Sequence, residues 1–92
     1  MDKRYLPLSN LEKMERRKNV FQTIDENPDW PISKVAKFTR EELHLTLTDM
    51  SKLTKIAVPT LQKLEQPEGN PTLSTVMKFL NAFGLKLCIK VK

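Results

Sequence analysis

The chain has 92 residues, enough for one small domain but too few for a catalytic core with a deep substrate pocket. Sixteen Lys and Arg against eleven Asp and Glu give a net charge of +5, which suits a polyanionic partner and also a merely soluble surface. One cysteine and one histidine provide neither a disulfide framework nor a metal site or catalytic group. We therefore expect no enzyme, cofactor or metal. We also expect no export or membrane insertion, because no signal peptide or long apolar run is seen.

The first helix is predicted to start after Ser9, because Ser9 and Glu12 have the spacing of a capping box. Its apolar residues recur at near-helical spacing and are expected to face inward: Leu11, Met14, Val20, Phe21 and Ile24. Two prolines and several acidic residues in "DENPDWPIS" then interrupt the pattern. Pro31 suits the start of a second helix, "PISKVAKFTREEL", and His44 falls near its end, where a capping role is expected. The inner side of that helix is predicted to be Ile32, Val35, Ala36, Thr39 and Leu43.

Three further helices are predicted in the rest of the chain. Thr46 can cap a short third helix. Asp49 lies in the first turn of that helix, where the helix dipole favours its negative charge. The link "TKIA" leads to a fourth helix, "VPTLQKLEQ", and the fifth, capped by Asn70 or Thr72, ends at Gly84. The residues expected to face inward are Leu47, Met50 and Leu53, then Leu61 and Leu64, then Leu73, Val76, Met77, Leu80 and Phe83.

The third and fourth helices are joined by a tight link, which is the plan of a helix-turn-helix motif. If Leu61 and Leu64 face inward, the fourth helix presents Val58, Pro59, Gln62 and Lys63 outward. Such a face can enter the major groove of DNA, with its first residues nearest the base edges.

From about Lys37 to Val91 the chain resembles the Xre-type, lambda-repressor-like helix-turn-helix family, most strongly in "EGNPTLSTVMKFLNAFGLKLCI". Within that family it is similar to antitoxins of HipB or HigA type. The resemblance implies an all-α, lambda-repressor-like bundle that ends in a C-terminal β-strand, and the helix predicted after Ser9 is an extra N-terminal helix outside the family pattern. It also implies a DNA-binding function.

The resemblance assigns roles to individual residues. Thr46 matches the family's cap, Lys55 stands where the turn usually has Gly, and Leu47 replaces a Gln that contacts phosphate. The positions that usually face bases or phosphates are Ala57, Val58, Pro59, Thr60 and Gln62. Together with Thr46, Lys55 and Lys63, these residues form the expected DNA-binding set. Glu65 matches a frequent acidic residue that we interpret as structural.

The tail "GLKLCIKVK" alternates apolar and polar residues, the pattern of a half-buried strand. A lone strand leaves backbone groups unpaired, so we expect it to pair with the same strand of a second copy. The dimerisation residues would then be Leu85, Leu87, Ile89 and Val91. The alternative is a frayed tail that packs on the last helix.

The expected function is that of a dimeric repressor that binds a palindromic operator in double-stranded DNA and also acts as the antitoxin of a toxin–antitoxin pair. Its partner would be a kinase-like or ribonuclease-like toxin, and its location cytoplasmic, on the nucleoid. The alternatives are a stand-alone phage-type regulator and a protein-interaction module that lost DNA binding. The expected division is residues 1–29 as a helical extension, 30–84 as the DNA-binding domain and 85–92 as the dimerisation strand.

Overall fold

A computed structural model describes residues 9–89 of the chain. This range contains five helices: α1 Asn10–Glu26, α2 Ile32–Glu42, α3 Leu47–Thr54, α4 Val58–Leu64 and α5 Leu73–Ala82. The helical class of the domain is therefore confirmed. None of the helices in this range is long and apolar enough to span a membrane.

The helices begin where local side-chain chemistry predicts. The amide of Glu12 donates to Ser9 Oγ at 3.2 Å, and the Ser9 amide donates to Glu12 Oε1 at 3.3 Å, which completes the capping box of α1. At α5, the Thr75 amide donates to Thr72 Oγ1 at 3.2 Å, so Thr72 rather than Asn70 is the cap. Pro31 occupies the N-cap of α2, directly before its first residue.

The core lies among α2, α3, α4 and α5. Its buried apolar residues are Val35, Ala36, Met50, Ile56, Leu61, Leu64, Val76, Phe79, Leu80 and Phe83. Phe79 is fully buried, although the sequence pattern did not single it out. Because Phe79 belongs to the inner face of α5, Leu73 and Met77 fall on the flank of that face, and the prediction that both are buried is wrong.

The inner face of α3 is also displaced from the predicted one. Met50 is fully buried and Leu47 packs against the core, as expected. The side chain of Thr54 is buried one turn after Met50, whereas Leu53 is 56% exposed, so its predicted burial is wrong. The reason is that Met50 and Thr54, four residues apart, define the face that meets the core.

Apolar contacts hold the second half of α1 to the body of the protein, whereas the first half is joined to α2 by a partly exposed ion pair between Arg16 and Glu42 at 3.3 Å. Val20 is buried, and Phe21 and Ile24 pack against the core. Leu11 and Met14 are 66% and 70% exposed, which overturns their predicted burial. The body-facing side of the first turns carries Lys13 and Arg17 instead, which line a small pocket together with Leu43, Leu45, Leu53 and Phe83.

A buried ion pair connects the end of α2 to the end of α4. Arg40 Nε donates to Glu65 Oε2 at 2.8 Å and Nη2 donates to Oε1 at 3.0 Å, and each side chain is only 10% exposed. Arg40 Nη1 also donates to the carbonyl of Leu45 at 3.2 Å, in the link between α2 and α3. The interpretation of Glu65 as a structural residue agrees with these contacts.

Two helix ends depend on a residue with positive φ, and one loop depends on a residue without a Cβ. His44 (φ 56°) follows α2 and Gly84 (φ 70°) follows α5. In both cases the next residue donates its amide to the carbonyl five residues back, at 3.0 and 2.9 Å, which closes a Schellman motif. In the loop after α4, a Cβ at Gly69 would overlap the carbonyl of Lys63, so only glycine lets this loop approach the end of α4.

Replacing Glu65 by Gln should lower the free energy of unfolding by about 3 kcal/mol, because it leaves the buried Arg40 guanidinium without its charged partner. Urea unfolding measures the change. Glu68→Gln is the matched control, since Glu68 is exposed on the following loop and its loss should cost less than about 0.5 kcal/mol. Equal losses in the two variants would contradict the structural role of the pair.

Candidate nucleic-acid interface

The link between α3 and α4 comprises residues 55–57, one residue shorter than the predicted "TKIA", because Thr54 still belongs to α3. Lys55 adopts the left-handed conformation (φ 63°, ψ 25°), and its amide donates to the Ser51 carbonyl at 2.9 Å. The next side chain, Ile56, is buried in the core. Its amide donates to Thr54 Oγ1 at 3.3 Å, and that hydroxyl donates to the Met50 carbonyl at 2.7 Å. The turn is therefore fixed at three successive residues.

Helix α4 has one buried side and one side that no described residue covers. Leu61 and Leu64 are buried against α2 and α3, as predicted. Four residues at the start and on the outer side of the helix are exposed: Ala57, Pro59, Gln62 and Lys63. Val58 and Thr60 are half-buried, so Val58 is less exposed than predicted. The outward face is thus small and apolar at its start, then polar, then basic.

Helix α3 begins with a second capping box. The Asp49 amide donates to Thr46 Oγ1 at 3.0 Å, and the Thr46 amide donates to Asp49 Oδ2 at 3.0 Å. The Thr46 amide hydrogen bond is the main cause that holds the pKa of Asp49 below its ordinary value. The predicted cap at Thr46 is present. The Asp49 carboxylate does more than interact with the helix dipole, since it also accepts the hydrogen bond that completes the capping box. Leu47, in place of a polar residue, packs its side chain against the core.

The helices α3 and α4 and the turn between them lie in a part of the chain that matches a known protein family. Residues 37–89, more than half of the chain, match the helix-turn-helix family. The chain belongs to this Xre-like helix-turn-helix family. It is a family of DNA-binding, non-enzymatic domains. No curated protein and no solved structure matches the chain significantly.

The residues that follow α5 do not form a strand within the described part of the chain. Within the described range, residues 85–89 have neither helical nor strand structure, and the predicted strand and its pairing are not seen. Leu85 is half-buried against the core, whereas Leu87 is 52% and Ile89 98% exposed. Val91, the fourth predicted dimerisation residue, lies outside the described residues. The regular elements of the described residues are all helices, so residues 85–89 have no neighbouring strand with which to form a ladder.

Several residues that position the helix-turn-helix surface were not singled out from the sequence. Arg40 fixes the far end of α4, and Ile56 and Thr54 fix the turn. The signal for Ile56 was present, because it is the one large apolar residue within "TKIA". No local signal marks Arg40, because its partner Glu65 is 25 residues away.

Replacing Lys55 by Gly should raise the free energy of unfolding by about 0.5–1 kcal/mol, because a left-handed conformation is unfavourable for a residue with a Cβ. Thermal or urea unfolding checks this. The control is Lys52→Gly, an exposed position inside α3 that should lose about 1 kcal/mol instead. A loss of stability in the Lys55 variant would show that contacts of the lysine side chain outweigh the backbone strain.

The capping box of α3 should contribute to stability in a pH-dependent way. The folded pKa of Asp49 is lowered, so its contribution is present above the unfolded pKa and disappears as the pH falls through the folded pKa. Asp49→Asn should therefore lose roughly 0.5 kcal/mol near neutral pH and nearly nothing at pH 2. Urea unfolding over this range tests the expectation, with exposed Asp29→Asn as the control. A difference that is independent of pH would rule out the carboxylate as its source.

Proposed function

We propose that the protein is a sequence-specific transcriptional repressor that binds a palindromic operator with α4 in the major groove. Membership of a DNA-binding family supports the general activity. The observation that carries the specific proposal is the uncovered face of α4, whose exposed polar and basic side chains are Gln62 and Lys63. The buried frame of Leu61, Leu64 and Glu65 fixes the direction of this face.

Each residue of the outward face has a distinct part in the proposed complex. Gln62 bonds the edge of an adenine, while Pro59 and the exposed part of Val58 lie against thymine methyl groups, with Ala57 beside them at the start of the helix. Lys55, Thr60 and Lys63 contact phosphates on either side of the groove. Thr46 acts indirectly, because its hydroxyl already caps α3 and thereby holds the first turn of that helix.

The proposed repressor is a dimer, because two copies related by a twofold axis present two recognition helices to half-sites about one DNA turn apart. We assign dimerisation to the tail, residues 85–92, with Leu85, Leu87, Ile89 and Val91 on its apolar side. In this division, residues 30–84 form the DNA-binding domain and residues 1–29 an N-terminal extension.

An additional role as antitoxin is proposed on two grounds. The first is the resemblance of residues 68–89 to HipB- and HigA-type antitoxins. The second is the surface of α1, where Leu11 and Met14 are largely exposed beside several basic residues. Exposed apolar side chains on one helix suit contact with a protein partner, such as a kinase-like or ribonuclease-like toxin. Co-expression with the product of the adjacent gene tests this role, which fails if wild-type protein neither binds that product nor relieves its toxicity.

The double substitution Gln62→Ala and Lys63→Ala should abolish the specific mobility shift of the protein's own upstream promoter DNA. Lys63→Ala alone should weaken binding to all sequences and lower the slope of log K against log salt by about one unit. Gln62→Ala should instead cost about 1–3 kcal/mol of discrimination between operator and competitor.

The matched control for charge is Lys78→Ala, an exposed lysine on α5 outside the proposed surface. It should leave operator discrimination unchanged. Unchanged repression in cells by the Gln62 and Lys63 double variant would rule out α4 as the recognition helix. Absence of any specific shift with wild-type protein would favour the interaction module, which keeps the fold without DNA binding.

A further inference from the structure

A small pocket of about 290 Å³ lies between the first half of α1 and the body of the domain. One wall is cationic, and the floor is apolar. We call this feature the basic pocket, and its lining residues are Lys13, Arg17, Leu43, Leu45, Leu53 and Phe83. None of these described lining residues is acidic. The volume is near the lower limit of small-ligand sites, about 300 Å³, so the pocket suits a small compound.

The guanidinium of Arg17 is held by two aromatic rings. Its Cζ lies 5.2 Å from the centre of the Phe21 ring and 5.9 Å from that of Phe83. Such cation–π contacts orient a guanidinium without using its N–H donors. Lys13 lies one turn earlier on the same side of α1, so the two cations form one wall. Neither side chain forms an ion pair or hydrogen bond with another described residue.

The acidic residues of the adjacent turns do not neutralise this wall. Glu12 closes the capping box of α1, and Glu42 pairs with Arg16 at 3.3 Å. Glu15 is two residues away from each cation, so it lies on the opposite side of the helix. The N–H donors of the wall are therefore available to an external anion, and arginine can donate two parallel hydrogen bonds to a carboxylate.

The floor of the basic pocket leaves apolar surface in contact with water. Leu53 is 56% exposed, although it was predicted to face inward, and Leu43 and Leu45 are half-buried. Phe83 is only 3% exposed and lies at the bottom. An apolar group placed over these side chains removes their surface from water, which favours its binding.

We propose that the basic pocket binds a small amphipathic carboxylate. One water molecule takes about 30 Å³ of liquid, so the pocket has room for roughly ten non-hydrogen atoms, that is, a carboxylate on a body of about eight carbons. The carboxylate accepts hydrogen bonds from Arg17 and Lys13, and the apolar body lies over Leu53 and Leu43. The site does not depend on DNA binding, since no residue of α4 lines it.

The first test is a titration with octanoate, followed in two-dimensional amide NMR spectra. Octanoate should shift the amides around the basic pocket in a saturable way, with one site per chain. Octylammonium has the same apolar body with the opposite charge, and acetate has the charge without the body, so neither should saturate the site. Equal binding of octanoate and octylammonium, or shifts that do not centre on the pocket, would overturn the inference.

The second test removes the cationic wall. Lys13→Gln with Arg17→Gln should weaken octanoate binding at least tenfold, because two charge-assisted contacts are lost. The matched control is Lys18→Gln with Lys37→Gln, two exposed lysines outside the pocket whose loss changes the net charge equally. Unchanged affinity in the first variant would exclude the wall as the anion site.

A separate variant tests the floor without touching the cations. Leu53→Asp changes a largely exposed position, so the domain should keep its circular dichroism spectrum. A carboxylate at this position should repel octanoate and lower its affinity at least tenfold. A folded Leu53→Asp variant that binds octanoate like wild type would contradict the placement of the apolar body.

Hydrogen exchange provides a readout that does not depend on substitutions. The first half of α1 forms the cationic wall, so the bound compound should favour the docked helix and slow amide exchange over residues 10–19. Octylammonium at the same concentration should leave this exchange unchanged. Saturating octanoate that does not slow exchange in this segment would place the bound compound elsewhere and overturn the inference.

Discussion

The buried pair between Arg40 and Glu65 is the constraint on which the outward surface of the domain depends. Helix α4 has seven residues, and a helix of that length is not stable in water without tertiary contacts. Leu61 and Leu64 hold it to the core, and Glu65 fixes its end to α2 through two hydrogen bonds from Arg40. Burial of two charges gives little net stability, since desolvation offsets the attraction. The main contribution of the pair is therefore the position of α4.

At the other end of α4, a charged residue occupies a backbone conformation that is unfavourable for any residue with a Cβ. Lys55 adopts the left-handed conformation that glycine adopts without strain, so a basic side chain is placed directly before the outward face. The side chain of Leu47 packs on the core, whereas the family resemblance implied a polar contact at this position. The start of α3 therefore presents an apolar side chain to the core, and the turn presents an exposed positive charge.

Features that depend on neighbouring residues were predictable from the sequence, and features that depend on the packing of whole elements were not. The predicted caps at Ser9 with Glu12, at Thr46 and at Thr72 are present because each is formed within one helical turn. The positive φ at Lys55, which the family resemblance implied, is also present. Helix α5, by contrast, has apolar residues over a wide arc, so periodicity alone did not place Phe79 inside and Leu73 outside. The outward residues of α4 were largely predictable because Leu61 and Leu64 are its large apolar residues at helical spacing. Once these two face the core, the orientation of so short a helix about its axis is determined.

The uneven anchoring of α1 divides the chain into regions of different local stability. Its capping box favours the helix at one end, but between Asn10 and Asn19 no residue is buried. Fraying of these turns exposes little apolar surface, so it costs much less free energy than unfolding of the core. Amide hydrogens in the first half of α1 should exchange with solvent deuterium through this local opening. The amides around Val20 and in the middle of α5 lie beside buried side chains and should exchange more slowly, so the two halves of α1 should differ in protection.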